Sequence, residues 1–158
     1  MSLFTGPKPA IKTFASEQKE SEGGRSGCAS LPRDFHPQEL ALFVRSAAQI
    51  ATATKAAELA SIRYRVLDEH VEGTPGFMLV CIMHLAKGLE FRAVAVMACD
   101  DEVIPLQERI ESVADESDLE DVYSTDLQLL YVACTRARDH LLVTSTESAS
   151  EFLEDTGQ

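Results

Sequence analysis

Residues 77–91 have the sequence FMLVCIMHLAKGLEF. The first part, residues 77–83, is entirely apolar, which is typical of a strand buried on both faces of a parallel sheet. Polar side chains begin directly afterwards, with His84, Lys87 and Glu90. Open α/β sheets bind their ligands in the crevice outside the carboxyl ends of the strands, so this loop has the position of a binding site. A solvated strand-to-helix connection is the alternative explanation.

Further apolar stretches have the length and composition of strands. They are residues 40–44, 63–67, 93–98 and 141–144, together with a short edge strand at residues 9–15. The alternating polarity of residues 63–67 indicates an edge or near-edge position. Because helical patterns separate the apolar stretches, the sequence predicts an α/β fold in which a mainly parallel sheet of about five strands is flanked by helices.

Two helices are predicted between the strands. Small apolar residues recur at helical spacing over residues 47–60, behind a capping Ser46. A second helix is expected to begin at Thr125, because a threonine hydroxyl can cap a helix. Its predicted stripe against the sheet consists of Leu127, Leu130, Tyr131 and Cys134.

Composition limits the class of protein. The chain has 158 residues and four cysteines without metal-ligand spacing, which predicts one domain with its cysteines acting as core hydrophobes in a reducing compartment. No apolar run has membrane-spanning length and no leader pattern is evident, so the expected location is cytoplasmic, without a membrane partner.

The formal net charge is −12, and much of it lies within residues 107–126. Such a charge argues against a free-standing nucleic-acid binder, since affinity for phosphates comes from lysine and arginine. The acidic segment is either a solvated excursion or a surface for a basic partner. Residues 16–33 contain almost no large apolar side chain and residues 112–124 are polar, so both are expected to be mobile.

A second motif follows the first. Residues 129–138 have the sequence LLYVACTRAR, and this stretch, combined with HLAKGLEF at residues 84–91, resembles motifs V and VI of the UvrD/Rep-like superfamily 1 DNA helicases. The resemblance implies a RecA-like, P-loop NTPase-like fold. It divides the chain into a poorly ordered lead-in at 1–35, a second motor domain at 36–145 and an acidic tail at 146–158.

A phosphate-binding loop of the form GxxxxGK[ST] is absent from the sequence, as is a strand ending in an acidic pair for magnesium. The chain therefore resembles the second motor domain alone, either as a fragment or as a remnant. The resemblance implies that ATP with Mg²⁺ is shared with an N-terminal P-loop motor domain of the same parent protein. Coupling of ATP hydrolysis to movement on single-stranded DNA then requires the full-length protein.

The resemblance also implies roles for individual residues. Arg136 matches the motif VI arginine finger that reaches the γ-phosphate, and Glu90 matches the motif V acid at the ribose. Lys87 and Gly88 match nucleotide-contacting motif V positions. The residues implied in coupling to nucleic acid are His84, Lys87 and Thr135. Two alternatives stay open from the residues themselves, because Arg136 has Asp139 nearby as a partner and His84 can simply cap its strand.

The sequence also departs from the family pattern. Ile82 stands where relatives have a threonine, and residues 125–128 stand where relatives have glutamate and arginine, so a salt-bridge network is expected to be weakened. Only a short turn at 68–76 replaces a domain that relatives often insert. The competing hypothesis is a non-catalytic interaction module with a degenerate P-loop-type fold, which would use the acidic segment to bind a basic partner.

Overall fold

The computed structural model describes residues 10–29, 36–66, 76–85, 90–100, 103, 110–112 and 114–146. The strands within these residues are β1 Ala10–Phe14, β2 Leu40–Val44, β3 Tyr64–Val66, β4 Met78–Ile82, β5 Phe91–Val96 and β6 Ala137–Thr146. The helices are α1 Glu17–Ala29, α2 Ile50–Leu59 and α3 Glu116–Cys134. Short 3₁₀ turns occupy Pro37–Glu39, Ala47–Gln49 and Met83–Leu85.

The described strands form one six-stranded sheet in the order β1-β6-β5-β2-β4-β3, and every pairing is parallel. The predicted α/β architecture is therefore confirmed. β2 has the expected bounds, β3 is the expected edge strand, and β1 forms the other edge beside β6. β4 belongs to the stretch at residues 77–91. It lies between β2 and β3 and is therefore an interior strand, as its apolar sequence requires.

The sheet separates two apolar layers. Alternate residues of β2 point to opposite faces, with Ala41 and Phe43 in one layer and Leu40, Leu42 and Val44 in the other. The layer around Phe43 includes residues of α3 and of the Met83–Leu85 turn. The other layer includes Ala53, Ala56 and Ala57 of α2, so the small apolar residues of the predicted helix pack on the sheet.

The helical region begins after Ser46 as the sequence predicts, but its first turn is the 3₁₀ turn Ala47–Gln49, and α2 begins at Ile50. The backbone N–H of Ser46 donates to Oε1 of Gln49 over 3.2 Å, and the Gln49 N–H donates to the Ser46 carbonyl over 3.0 Å. These reciprocal bonds satisfy groups that a helix start leaves without an intrahelical partner.

The mobile loop expected over residues 16–33 is wrong for Glu17–Ala29, which form α1. This helix packs on the sheet through buried polar groups and glycines. Oε2 of Glu20 accepts bonds of 2.6 Å from the Ala98 N–H and from Oγ1 of Thr144, with Glu20 fully buried. A Cβ at Gly24 would lie 3.0 Å from Cβ of Ala56, so the absence of a side chain permits the close approach of α1 to α2.

The predicted start of α3 is also wrong. The helix begins at Glu116 rather than at Thr125, and Oδ1 of Asp115 accepts a 2.9 Å bond from the Asp118 N–H at its N-terminus. Acidic side chains in a first turn interact favourably with the helix dipole, which explains why this polar stretch is helical. The mobile segment expected at 112–124 is therefore wrong from residue 116 onward. Thr146, the first residue of the predicted tail 146–158, belongs to β6, and residues 104–109 and 147–158 lie outside the described residues.

The stripe of α3 that faces the sheet differs from the predicted one. Leu127 and Tyr131 are 46% and 59% exposed, whereas Leu130 is buried as expected. The other buried positions are Val122, Asp126 and Ala133. Asp126 lies at the centre of the buried face of α3. The helix is therefore rotated relative to the orientation that its apolar residues alone would predict. In the part of the chain that is described, no helix has the length and apolar character needed to cross a membrane.

Candidate functional site

The structure brings two of the predicted site residues to the same edge of the sheet. The Phe91 N–H donates to the Arg136 carbonyl over 2.9 Å, and Phe91 is in register with Ala137. Glu90 directly precedes β5 and Arg136 directly precedes β6. Neighbouring strands lie about 4.8 Å apart. Glu90, which is exposed, and Arg136, which is half-buried, therefore start from adjacent points on the amino-terminal edge.

His84 lies at the opposite edge. It belongs to the Met83–Leu85 turn at the carboxyl end of β4, and its side chain is exposed. The expectation that His84 and Glu90 share one loop at the carboxyl edge is thus wrong for Glu90. The reason is topological, because parallel strands require the connection from β4 to carry the chain back to the amino end of β5. Lys87 and Gly88 lie outside the described residues.

Arg136 folds back on the helix that precedes it. Its Nε donates to the Val132 carbonyl over 3.1 Å, and its Nη2 donates to Oγ1 of Thr135 over 3.2 Å. The last carbonyls of a helix have no intrahelical donor and carry partial negative charge. The guanidinium therefore satisfies the carboxyl end of α3 while keeping its charge at the edge of the sheet.

Thr135 is the residue at the junction of α3 and Arg136. Its N–H donates to the Tyr131 carbonyl over 3.0 Å, and its hydroxyl donates to the Val132 carbonyl over 3.0 Å. The same hydroxyl oxygen accepts the bond from Nη2 of Arg136. Thr135 consequently contacts the side chain of the predicted arginine finger.

Asp139, the alternative partner considered for Arg136, accepts from two other arginines. Nε of Arg92 donates to Oδ2 of Asp139 over 3.2 Å, and Nε of Arg138 donates to Oδ1 over 3.2 Å. Arg92 also lies 3.5 Å from a carboxylate oxygen of Glu39. These residues stand near the amino ends of β2, β5 and β6, so opposite charges surround the edge that carries Glu90 and Arg136.

Sequence reasoning missed a buried ion pair. Nη2 of Arg45 lies 2.8 Å from Oδ1 of Asp126, with side chains 3% and 0% exposed. Arg45 follows β2, and Asp126 occupies the middle of α3. A weakened salt-bridge network was expected around residues 125–128, but Asp126 still forms this ion pair. The available signal was an arginine directly after the apolar run Leu40–Val44, together with the acidic residue Asp126 before the TRA sequence.

The three described cysteines have the environment of core residues. Cys81 and Cys99 are buried, and Cys134 packs against the same apolar layer. Burial raises the pKa of Cys81 and of Cys134 to about 12 and raises the pKa of Cys99 well above its ordinary value. The thiols are therefore protonated near neutral pH, which suits small hydrophobes. Among the described residues, no cluster of His, Cys, Asp and Glu has the arrangement of a metal site.

Known proteins with similar sequences and folds agree with the motifs. Residues 77–148 match the family model of the UvrD-like helicase C-terminal domain. The chain is 40% identical over 95 residues to "Putative ATP-dependent DNA helicase YjcD" of Bacillus subtilis (strain 168), and the alignment covers 54% of this chain. It spans only 11% of that relative.

A solved structure has the same fold. It is the C-terminal domain of a possible DNA helicase from Lactobacillus plantarum WCFS1, with a TM-score of 0.59 and 24% sequence identity. The match covers 94% of this chain and 80% of that one. At this identity the likeness establishes the fold alone, and it includes most of the residues before 77.

Proposed function

We propose, from the match of residues 77–148 to the family model of the UvrD-like helicase C-terminal domain, that the chain is the second motor domain of an ATP-dependent DNA helicase. In this proposal ATP binds in a cleft between the chain and a P-loop motor domain of the parent protein. Arg136 holds the terminal phosphate and Glu90 holds the ribose. Single-stranded DNA is the substrate along which the two domains move.

The observation that supports this proposal most strongly is the bond between the Phe91 N–H and the Arg136 carbonyl. It fixes the amino ends of β5 and β6 side by side, so that a cation and a carboxylate start from neighbouring strands. A guanidinium matches phosphate oxygens, and a carboxylate accepts hydrogen bonds from ribose hydroxyls. One ligand with both groups could therefore contact both residues from a single edge.

The chemistry of Arg136 follows from its charge and shape. Phosphoryl transfer depends on positioning and on stabilising the charge that develops on the transferred group. A guanidinium carries a positive charge and presents several donors in one plane. Magnesium and the phosphate-binding loop would be supplied by the other motor domain, since the described residues offer neither.

The position of His84 supports a role for this residue in coupling to DNA. It lies at the carboxyl edge of the sheet, away from Glu90 and Arg136. A residue there can contact a strand of nucleic acid while the nucleotide occupies the amino-terminal edge. Lys87 and Gly88 belong to the connection between the two edges in the sequence, and we propose that this connection transmits changes in the nucleotide to His84. The contacts of Thr135 with Arg136 favour a role beside the nucleotide rather than at the DNA.

A second candidate function is binding of a basic protein partner without catalysis. The net charge of −12 favours it, as do the exposed side chains of Glu116, Asp118, Glu120 and Asp121 on the first half of α3. Such a module would bind its partner with strong salt dependence and would show no dependence on nucleotide.

Mixing experiments with the P-loop domain of the parent protein test the proposed function. We expect this chain alone to bind ATP weakly and to hydrolyse none, because two contacts from one side of a cleft do not offset the entropy of immobilising a nucleotide. Adding the P-loop domain should create ATP hydrolysis that single-stranded DNA stimulates. Low-micromolar ATP binding by the chain alone, or a mixture no more active than the P-loop domain, would contradict the proposal.

A further inference from the structure

The hydroxyl of Thr135 is part of a small ring of hydrogen bonds at the end of α3, together with the Val132 carbonyl and the Arg136 guanidinium. It donates to the Val132 carbonyl over 3.0 Å and accepts from Nη2 of Arg136 over 3.2 Å. Nε of Arg136 donates to the same Val132 carbonyl over 3.1 Å. One carbonyl and one hydroxyl therefore hold both donors on a single edge of the guanidinium.

The direction of each bond is determined by chemistry. A hydroxyl has one proton, and the Val132 carbonyl can only accept, so the Thr135 proton is directed to that carbonyl. The lone pairs of the hydroxyl oxygen are then oriented to accept from Arg136, which can only donate. The branched Cβ of threonine restricts its first side-chain torsion, which keeps the hydroxyl in this position.

The ring also limits the motion of a long side chain. An arginine has several rotatable torsions, and a transition-state contact requires its guanidinium to be held before the reaction occurs. With Nε and Nη2 bound, the guanidinium plane is fixed relative to the axis of α3. Its opposite edge, on the Nη1 side, is then directed away from the helix because the group is planar.

We propose that Thr135 is a positioning residue, which holds the inner edge of Arg136 against the carboxyl end of α3 so that the outer edge meets the terminal phosphate of ATP. This inference rests on the proposed function of Arg136. It replaces the role in nucleic-acid coupling that the sequence motif suggested for Thr135. Thr135 contacts neither nucleotide nor DNA in this account and acts only through the arginine.

A purely structural role for Thr135 makes different predictions. Its backbone N–H donates to the Tyr131 carbonyl whatever the side chain is, so the end of the helix is maintained without the hydroxyl. If the hydroxyl only stabilised the helix end, its loss would lower the melting temperature and leave turnover by the folded protein unchanged. A positioning role instead lowers kcat more than it changes KM for ATP.

The test uses three variants in the two-domain protein. Thr135→Val keeps the shape of the side chain and removes both hydroxyl bonds, and we expect kcat to fall roughly 10- to 100-fold with little change in KM. Thr135→Ser restores the hydroxyl and should recover most of the rate. Thr125→Val makes the same chemical change at an exposed position of α3 and serves as the matched control.

A spectroscopic measurement on this chain alone separates a positioning role of Thr135 from a purely structural one. In the unaltered chain the Nε–H resonance of Arg136 should exchange slowly with solvent. Thr135→Val should shift that resonance and accelerate its exchange, whereas Thr135→Ser and Thr125→Val should leave it close to the original. An unchanged resonance in Thr135→Val, or a released arginine with unchanged kcat, overturns the positioning role.

Comparison with Arg136→Ala distinguishes failure of this inference from failure of the proposed function. If Arg136→Ala abolishes hydrolysis while Thr135→Val retains the full rate, the arginine finger stands and the role of Thr135 is wrong. If Arg136→Ala itself retains the full rate, both proposals are wrong, even where the resonance shows that the hydroxyl holds the side chain.

Discussion

Arg45 and Asp126 form an ion pair of 2.8 Å in which both side chains are almost completely buried. The pair connects the end of β2 with the middle of α3, the helix that ends beside Arg136. Removal of charged groups from water is costly, so a buried pair is sensitive to the loss of either member. This contact therefore attaches the middle of α3 to the end of β2.

The ion pair predicts a non-additive response to substitution. Arg45→Met or Asp126→Leu alone should reduce the free energy of unfolding by about 3 to 5 kcal/mol, because each removes an ion-pair partner of a buried charge. The double variant should be more stable than the sum of the two losses predicts. Urea denaturation of all four proteins measures this coupling. Additive losses would show that the two charges do not stabilise one another.

Glu20 holds α1 on the sheet through two buried hydrogen bonds. Its carboxylate accepts bonds of 2.6 Å from the Ala98 N–H and the Thr144 hydroxyl. Glu20→Ala should lower the free energy of unfolding by about 2 kcal/mol, because it leaves the buried Ala98 N–H and Thr144 hydroxyl without this acceptor. Amide exchange in α1 should become faster. Glu22→Ala, at an exposed position of the same helix, is the control, and equal losses for the two variants would show that burial of Glu20 is unimportant.

The cysteines predict slow alkylation of the folded chain. Thiolate is the reactive form, and a pKa of about 12 at Cys81 and Cys134 leaves roughly one thiol in 10⁴ ionised at pH 8. The rate should rise with pH up to the raised pKa and should increase sharply in urea, where an ordinary pKa returns. A Cys28→Ser background removes the remaining cysteine from the count. Native labelling at the rate of a free cysteine would contradict the burial of these thiols.

Apolar runs located the strands, because a strand buried on both faces needs a continuous apolar run, although β5 begins two residues and β6 four residues before the predicted stretches. β2 was predicted to the residue, and β4 to within one residue at each end. α1 was missed because its attachment depends on the hydrogen bonds of Glu20 and on close approach at Gly24, and neither produces an apolar stripe. Tertiary context supplied what local sequence could not.

The site was predicted in part for a related reason. The motifs identified Glu90, Thr135 and Arg136, but the pattern could not show that the connection after β4 returns to the amino end of β5. Glu90 was therefore expected beside His84, whereas the structure places it beside Arg136. The contact between Thr135 and Arg136 also depends on side-chain geometry that no spacing rule specifies.

DNA-stimulated ATP hydrolysis by the Arg136→Ala variant of the two-domain protein is the most direct test of the proposed function. We expect a loss of roughly 10³-fold or more, with little recovery in Arg136→Lys, because an ammonium lacks the planar fork. The melting temperature should fall by only about 3 °C, since the bonds of a half-buried side chain at the end of α3 are lost. Arg138→Ala, which removes an exposed arginine paired with Asp139, should retain most activity. Hydrolysis by Arg136→Ala at close to the original rate would contradict the assignment of this chain as the motor domain that supplies the arginine finger.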